Sequence, residues 1–418
     1  MTSDVTTVNV VGLGYVGVEV CLAAVKAGHT VSGIDSDKAK VEAFLSPAPA
    51  GHDEWCSIRK ACRDGLLSVH VSAAAAPSAN VWIVAVPTPL DHQNKPDLSS
   101  IRAAAATVAS LVPRGATVIL ESTSFPGTTE KVFMVPFLEA GLIPGEDVFI
   151  GFSPERINPA GGWPMRSIPK IVAGVTPACL EAVIAFYETV VEHIVPMSSV
   201  RAAEFAKLYE NAWRLINVAF ANEIETLCEA SGIDPWEVFE ACSTKPFGFV
   251  GFVPGPGAGG HCIPVDASYL SHFAAGQFTD VPLLDAALAA NRSRPREIAR
   301  RIVERLGPSA SRRVLLIGVA YKADVADIRE SSALAVLHEL EAQGVHVEFH
   351  DALIASVNTA SGKHLSMELT DETVATFDTV AVLCAHSCTD WSVLERTNVP
   401  IFDLCNIVSR IEPGISRP

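Results

Sequence analysis

Three features of the chain predict an α/β fold: two doubly wound Rossmann-like domains joined by a long helix and a central all-helical domain. Near the N-terminus an apolar strand runs into a glycine turn and a helix; residues 199–231 contain neither proline nor glycine; and a second series of apolar strands follows residue 311. Divisions at 1–198, 199–306 and 307–418 suit a chain of 418 residues, which is too long for one ordinary core.

The first strand, 7–11, leads into Gly12-Leu13-Gly14-Tyr15-Val16-Gly17 and a helical pattern through Val20, Ala23, Ala24 and Ala27. Gly12 permits the tight turn, Gly14 lets a pyrophosphate approach the backbone, and Gly17 lets the helix pack on the strand. The next strand, 29–34, ends in Asp35, where a carboxylate can accept hydrogen bonds from both ribose hydroxyls of NAD and would repel the 2′-phosphate of NADP. Strands over 81–86 and 117–121 exit into Pro87-Thr88-Pro89 and Ser122-Thr123-Ser124-Phe125-Pro126-Gly127. Such exits are where doubly wound sheets bind ligands, although prolines there can simply stop a strand. Residues 72–78 read as a connector with a short helix. Strand 148–152 exits into Ser153-Pro154-Glu155-Arg156, either a surface ion pair or part of the ligand site.

Over 199–231 apolar residues recur at helical spacing, among them Phe205, Leu208, Trp213, Leu215 and Leu227, and Gly232 stops the pattern. One helix of about 50 Å results, at about 1.5 Å per residue. Its apolar surface predicts a homodimer built on this helix. Lys207 and Asn211, four residues apart, share a face with Glu204, either as a solvated charged stripe or as part of a site. Asp234-Pro235 opens another helix.

The run Gly255-Pro-Gly-Ala-Gly-Gly-His-Cys-Ile-Pro-Val-Asp266 then sets one cysteine among glycines with an aspartate four residues on. Such a backbone can adopt positive φ and bring N–H groups close to an anion or an oxyanion. Cys262 is therefore a candidate reaction centre, or else a structural thiol in a glycine-rich turn. Helices continue to 306, with 291–296 as a basic patch. Further strands over 312–318, 345–349, 379–384 and 400–404, with a helix over 331–343, form a second doubly wound unit. It lacks the glycine fingerprint and offers Lys322 and Arg329 at a strand exit, as a phosphate-bearing substrate would need.

Composition narrows the partners. With 31 basic and 47 acidic residues the net charge is −16, which disfavours nucleic acid and anionic membranes. No basic leader precedes the first apolar stretch, which Glu19 and Lys26 interrupt, so neither a signal peptide nor a membrane span is expected. Ten cysteines without a Cys-x-x-Cys unit predict reduced thiols, a cytoplasmic setting and no metal.

In order and spacing, the turn 12–17 and the runs 121–127, 151–156, 207–211, 259–266 and 321–331 resemble those of the nucleotide-sugar 6-dehydrogenases, the UDP-glucose/GDP-mannose dehydrogenase family. The run 243–249 leading into 254–257 most resembles the UDP-N-acetylglucosamine branch. The resemblance implies NAD-dependent four-electron oxidation of a UDP-sugar C6 hydroxymethyl to a carboxylate, through a thiohemiacetal and a thioester on Cys262. It implies that Thr123, Glu155 and Asp266 position a water, and that Lys207 and Asn211 stabilise the oxyanion. Cofactor contacts would come from Gly12, Gly14, Tyr15, Val16, Gly17, Asp35, Pro87, Thr88, Ser122 and Thr123. Substrate contacts would come from Phe152, Glu155, Arg156, Lys207, Asn211, Phe252, Gly257, Gly260 and Lys322. Ala267, Ala323 and Cys405 depart from the family pattern and leave the sugar open, with UDP-glucose and UDP-N-acetylmannosamine as alternatives. A one-step NAD-dependent alcohol dehydrogenase with a structural Cys262, or a nucleotide-sugar-binding protein without chemistry, are the readings from other classes.

Overall fold

Valine and isoleucine runs flanked by glycine turns become central strands because both of their faces are covered. Val81–Val84, for example, is buried at all four positions. The computed structural model describes residues 5–47, 55–158, 161–306 and 312–408. By its internal contacts the chain divides into two units, 1–210 with 268–279, and 211–267 with 280–418.

The first unit holds an eight-stranded sheet of β1 (Thr7–Val11), β2 (Thr30–Ile34), β3 (Leu67–His70), β4 (Val81–Val84), β5 (Ala116–Leu120), β6 (Val148–Phe152), β7 (Lys170–Gly174) and β8 (Ile194–Pro196). Their order is β3-β2-β1-β4-β5-β6-β7-β8. The order reverses at β1 and β4, which makes the ends of those strands the topological switch point where ligands bind. All neighbours are parallel except β6 and β7, which run antiparallel with Phe152 opposite Ala173. The sequence did not reveal β7, because it opens on a lysine. Val8, Val10, Val31, Ile83 and Ile119 pack with Val18, Val20 and Cys21 of the helix Tyr15–Lys26. Each such buried aliphatic side chain contributes roughly 1.5–3 kcal/mol.

The second unit contains β9 (Arg313–Ile317), β10 (His346–His350), β13 (Thr379–Val382) and β14 (Ile401–Asp403) as a parallel sheet in the order β10-β9-β13-β14. A separate antiparallel hairpin pairs β11 (Ser356–Thr359) with β12 (Gly362–Leu365). The helix Pro282–Leu306 sends Ile298, Ala299 and Ile302 into the same core as Val314, Leu316, Val336 and Phe349.

The long helix is Val200–Ala230, 31 residues, and the boundary between the units falls within it, after Glu210. Gly232 ends it with φ +68°, as its lack of a Cβ allows. Among the described residues no helix is long and apolar enough to cross a membrane, and no group of three or more His, Cys, Asp or Glu side chains could hold a metal ion.

Candidate active site

In the first unit the glycine turn is built by exclusion. A Cβ on Gly12, whose φ is +94°, would lie 2.4 Å from the Ala85 carbonyl oxygen, and one on Gly17 would lie 1.8 Å from that of Gly12. Nothing stands within 4 Å of a Cβ on Gly14, so the helix N-terminus opens onto empty space of the kind a pyrophosphate fills. Asp35 accepts the N–H groups of Leu13 and Asp37, both at 2.9 Å, and the Lys40 ammonium at 2.8 Å. Burial works against its charge, but Lys40 and these N–H groups hold its carboxyl below the usual range. A charged carboxylate at the end of β2 beside an open glycine turn fits a dinucleotide with unmodified ribose hydroxyls.

The strand exits of the same unit carry the next group. Ser122 Oγ donates to the Val86 carbonyl at 2.8 Å, and Thr123 beside it is half-buried. Their loop is held by Glu204 of the long helix, which accepts the Gly127 N–H at 2.6 Å, the Thr129 N–H at 2.8 Å, the Thr129 hydroxyl at 2.6 Å and the Ser124 hydroxyl at 3.2 Å. Burial pushes the Glu204 carboxyl up against the pull of these donors. Glu204 is thus a clamp and not part of a solvated stripe. Lys207, one turn on, is only 8% exposed, and no hydrogen bond or ion pair holds its ammonium among the described residues. A buried cation in that state is poised for an anionic or strongly dipolar ligand.

Beyond Pro87, the carbonyls of Thr88 and Pro89 accept the Tyr269 hydroxyl at 3.1 and 3.3 Å. Glu155 is buried, and its carboxylate meets the Lys170 ammonium at 3.0 Å. Arg156 is committed elsewhere: Nε and Nη2 bind Glu210 at 3.0 and 2.5 Å, and Nη1 donates to the Pro169 carbonyl. The Phe152 side chain is fully buried at the end of β6.

In the second unit Cys262 is exposed immediately before the helix Ile263–Gly276, and its carbonyl accepts the Asp266 N–H at 2.8 Å. Asp266 is buried, and Asn211 Nδ2 donates to its Oδ2 at 2.5 Å. The glycine loop ahead of Cys262 is held from three sides. Asn222 Oδ1 accepts the Gly255 N–H at 2.8 Å, Asn291 bonds both the N–H and the carbonyl of Ala258, and Arg294 Nε donates to the Gly255 carbonyl at 3.1 Å. Arg294 is 2% exposed and pairs with Glu225 at 2.7 Å, so within the basic run 291–296 it is a buried strut, while Arg292 and Arg296 stay on the surface.

The glycines of this loop are explained by contact with the Tyr321 region. A Cβ on Gly260, whose φ is +78°, would lie 2.7 Å from the Tyr321 ring, one on Gly259 2.6 Å from the Glu330 carbonyl, and one on Gly257 2.7 Å from Ser332 Oγ. Next to Tyr321, Lys322 is half-buried; burial lowers its proton affinity, and the nearby Arg214 guanidinium lowers it further. Phe252 packs edge-on against Trp213 with ring centroids 5.0 Å apart. Ala267 is fully buried, and the Cys405 N–H is held by Asp403 at 2.9 Å. The expected catalytic residues thus divide, with Thr123, Glu155 and Lys207 in the first unit and Asn211, Cys262 and Asp266 in the second. The sequence does not single out Lys170 or Asn222, and places Glu204 and Arg294 only on a charged helix face and in a basic patch, since buried polar residues have no periodicity to betray them.

Models of the UDP-glucose/GDP-mannose dehydrogenase family match the chain three times: the NAD binding domain over residues 6–191, the central domain over 201–293 and the UDP binding domain over 315–410. Protein CapL of Staphylococcus aureus is 33% identical over 98% of both chains. The UDP-N-acetyl-D-glucosamine 6-dehydrogenase of Pseudomonas aeruginosa is 32% identical over 91% of this chain and 90% of its own. The solved structure of the UDP-D-ManNAc dehydrogenase of Pyrococcus horikoshii superposes with a TM-score of 0.82 at 27% identity, covering 95% of this chain and 94% of that one. This chain belongs to the UDP-glucose/GDP-mannose dehydrogenase family and is an oxidoreductase that uses NAD.

Proposed function

We propose that the protein oxidises the C6 hydroxymethyl of UDP-N-acetylglucosamine to a carboxylate in two steps at Cys262. Bound NAD⁺ supplies the electron acceptor, so that one alcohol, two NAD⁺ and one water give one carboxylate, two NADH and three protons. The supporting observation is the hydrogen bond between Asn211 and Asp266 one helical turn from Cys262, which gathers an amide donor, a carboxylate and a thiol in one place. A protein that only bound a sugar nucleotide would need no thiol there.

In this reading Thr123, Glu155 and Asp266 hold the water, and the C6 hydroxyl loses its proton through it in the first oxidation. The Cys262 sulfur then adds to the aldehyde carbon, which becomes tetrahedral while its oxygen takes up negative charge. Lys207 and Asn211 stabilise that oxygen. The second oxidation leaves a thioester, and water displaces the sulfur to release the acid. We assign cofactor binding to residues 1–198, catalysis and pairing to 199–306 and the UDP portion to 307–418, with Lys322 toward the substrate.

The choice of sugar rests on residues 243–249 and on the P. aeruginosa relative. NADH release measured against UDP-N-acetylglucosamine, UDP-N-acetylmannosamine, UDP-N-acetylgalactosamine and UDP-glucose decides it; another sugar preferred by more than about tenfold in kcat/KM would replace this one. Two NADH per sugar are expected, and Cys262→Ala should release no acid. A steady single NADH with accumulating aldehyde would reduce the chemistry to a one-step dehydrogenase.

We also propose a homodimer built on the long helix. Phe205, Tyr209, Trp213, Phe220 and Leu227 lie 41–61% exposed along it, more aromatic surface than a solvated helix carries. Light scattering that returned the mass of one chain would remove this assignment.

A further inference from the structure

We propose that Lys170, at the start of β7, is a positioning residue that fixes the carboxylate of Glu155 so that a single lone pair is left for the catalytic water. The inference rests on the water-holding role given above to Glu155.

The antiparallel register of β6 and β7 sets it up. Phe152 lies opposite Ala173, so Glu155, three residues after Phe152, comes to face Lys170, three residues before Ala173. The lysine is 3% exposed and cannot reach bulk solvent. Its Nζ lies 3.0 Å from Glu155 Oε2 and 3.1 Å from Glu121 Oε1. On its far oxygen Glu155 accepts the N–H groups of Arg156 at 2.5 Å and Ile157 at 2.6 Å. A carboxylate offers about four lone-pair positions. Three are filled by protein donors, and the fourth, on the oxygen that Lys170 holds, is what remains for water.

Lys170 is itself secured from behind. The Tyr187 hydroxyl donates to the Glu121 oxygen that the lysine also meets, and the Tyr187 ring centroid lies 5.2 Å from its Nζ. Burial opposes the ammonium, but Glu121 and Glu155 hold its proton affinity above the ordinary value. The ionisable groups facing this cluster are Glu121 from the end of β5, Tyr187 from the helix Pro177–Val190, and Tyr15 and Glu19 from the helix Tyr15–Lys26, both of which feel the Glu155 charge. Two carboxylates flank one ammonium, so losing the ammonium would free the Glu155 oxygen that it holds.

The test measures kcat and KM by NADH absorbance in Lys170→Met, Lys170→Arg, the double variant Glu121→Gln/Lys170→Met and Glu155→Gln. The double variant keeps the net charge of the cluster while removing the ammonium, and serves where the single methionine variant fails to fold. We expect the methionine variants to lose at least about tenfold in kcat with KM for the sugar within about twofold. Lys170→Arg should restore most of the rate. A folded methionine variant that keeps the wild-type kcat overturns the proposal, whatever its stability. Glu155→Gln separates the causes. If it keeps the wild-type rate, the role of Glu155 has failed and that of Lys170 falls with it. If it is inactive while the methionine variants keep the wild-type rate, only Lys170 has been misassigned.

Discussion

The two Rossmann-like sheets begin with the same device and use it differently. In the first, Gly12 turns the chain at φ +94° and the next residue, Leu13, donates its N–H to Asp35 at the end of β2. In the other, Gly318 turns at φ +82° and Val319 donates to Asp351 at 2.8 Å, just past β10. Among the described residues Asp35 has otherwise only Asp37 and Lys40 for company, and it keeps part of its surface exposed. Asp351 is buried, and also accepts N–H groups from Ala320, Leu353 and Ile354 and the ring of His386 at 3.2 Å. On its other nitrogen His386 accepts the Asp324 N–H at 2.9 Å and so anchors the loop that carries Tyr321 and Lys322. One carboxylate therefore remains partly open to a ribose, while the other is consumed in holding a loop. The same fold element leaves a carboxylate partly open in one place and serves as scaffold in the other.

The comparison predicts opposite outcomes for equivalent substitutions. Asp351→Ala strands four backbone N–H groups and an imidazole in the interior, and should cost about 3–5 kcal/mol of unfolding free energy, read from denaturant melts of the full chain. A loss below about 1 kcal/mol would break the comparison. The pH dependence carries its own sign. Burial opposes the Asp351 charge, but His386 and the surrounding N–H groups hold its carboxyl below the ordinary range. Its contribution is thus fully present above the unfolded value of about 3.9 and is lost as pH falls through the lower folded value. Asp351→Asn should flatten that acid loss. The smaller effect belongs to Asp35→Ala, which should raise KM for NAD⁺ about tenfold and narrow the discrimination against NADP⁺, with little change in melting temperature. Unchanged cofactor kinetics in that variant would place the ribose elsewhere.

The same contrast explains what could be read in advance. Gly12, Gly14, Gly17 and Asp35 are legible because the chain supplies strand, turn, helix and acid within 35 residues. Cys262 is legible for a similar reason, since glycines surround it. Asp351 is not, because an aspartate after a strand looks the same whether water or His386 receives it, and their contact spans 35 residues of sequence. Lys170 goes unnoticed until the register of β6 and β7 puts Glu155 opposite it. Arg294 looks like surface charge until Glu225, 69 residues earlier, turns out to be its partner. Local geometry is written in neighbouring residues, whereas the pairing of buried charges depends on which segments fold against each other.

The packing of Gly257, Gly259 and Gly260 against Ser332, Glu330 and Tyr321 bears on how sugar preference could be exchanged between relatives. No Cβ fits at that seam, so the thiol loop and the lysine loop can vary only as matched surfaces. A recombination point placed near residue 312, at the apparent start of the last sheet, would separate two halves of one fitted joint. Chimeras intended to transfer specificity should carry residues 255–266 and 319–332 from the same parent.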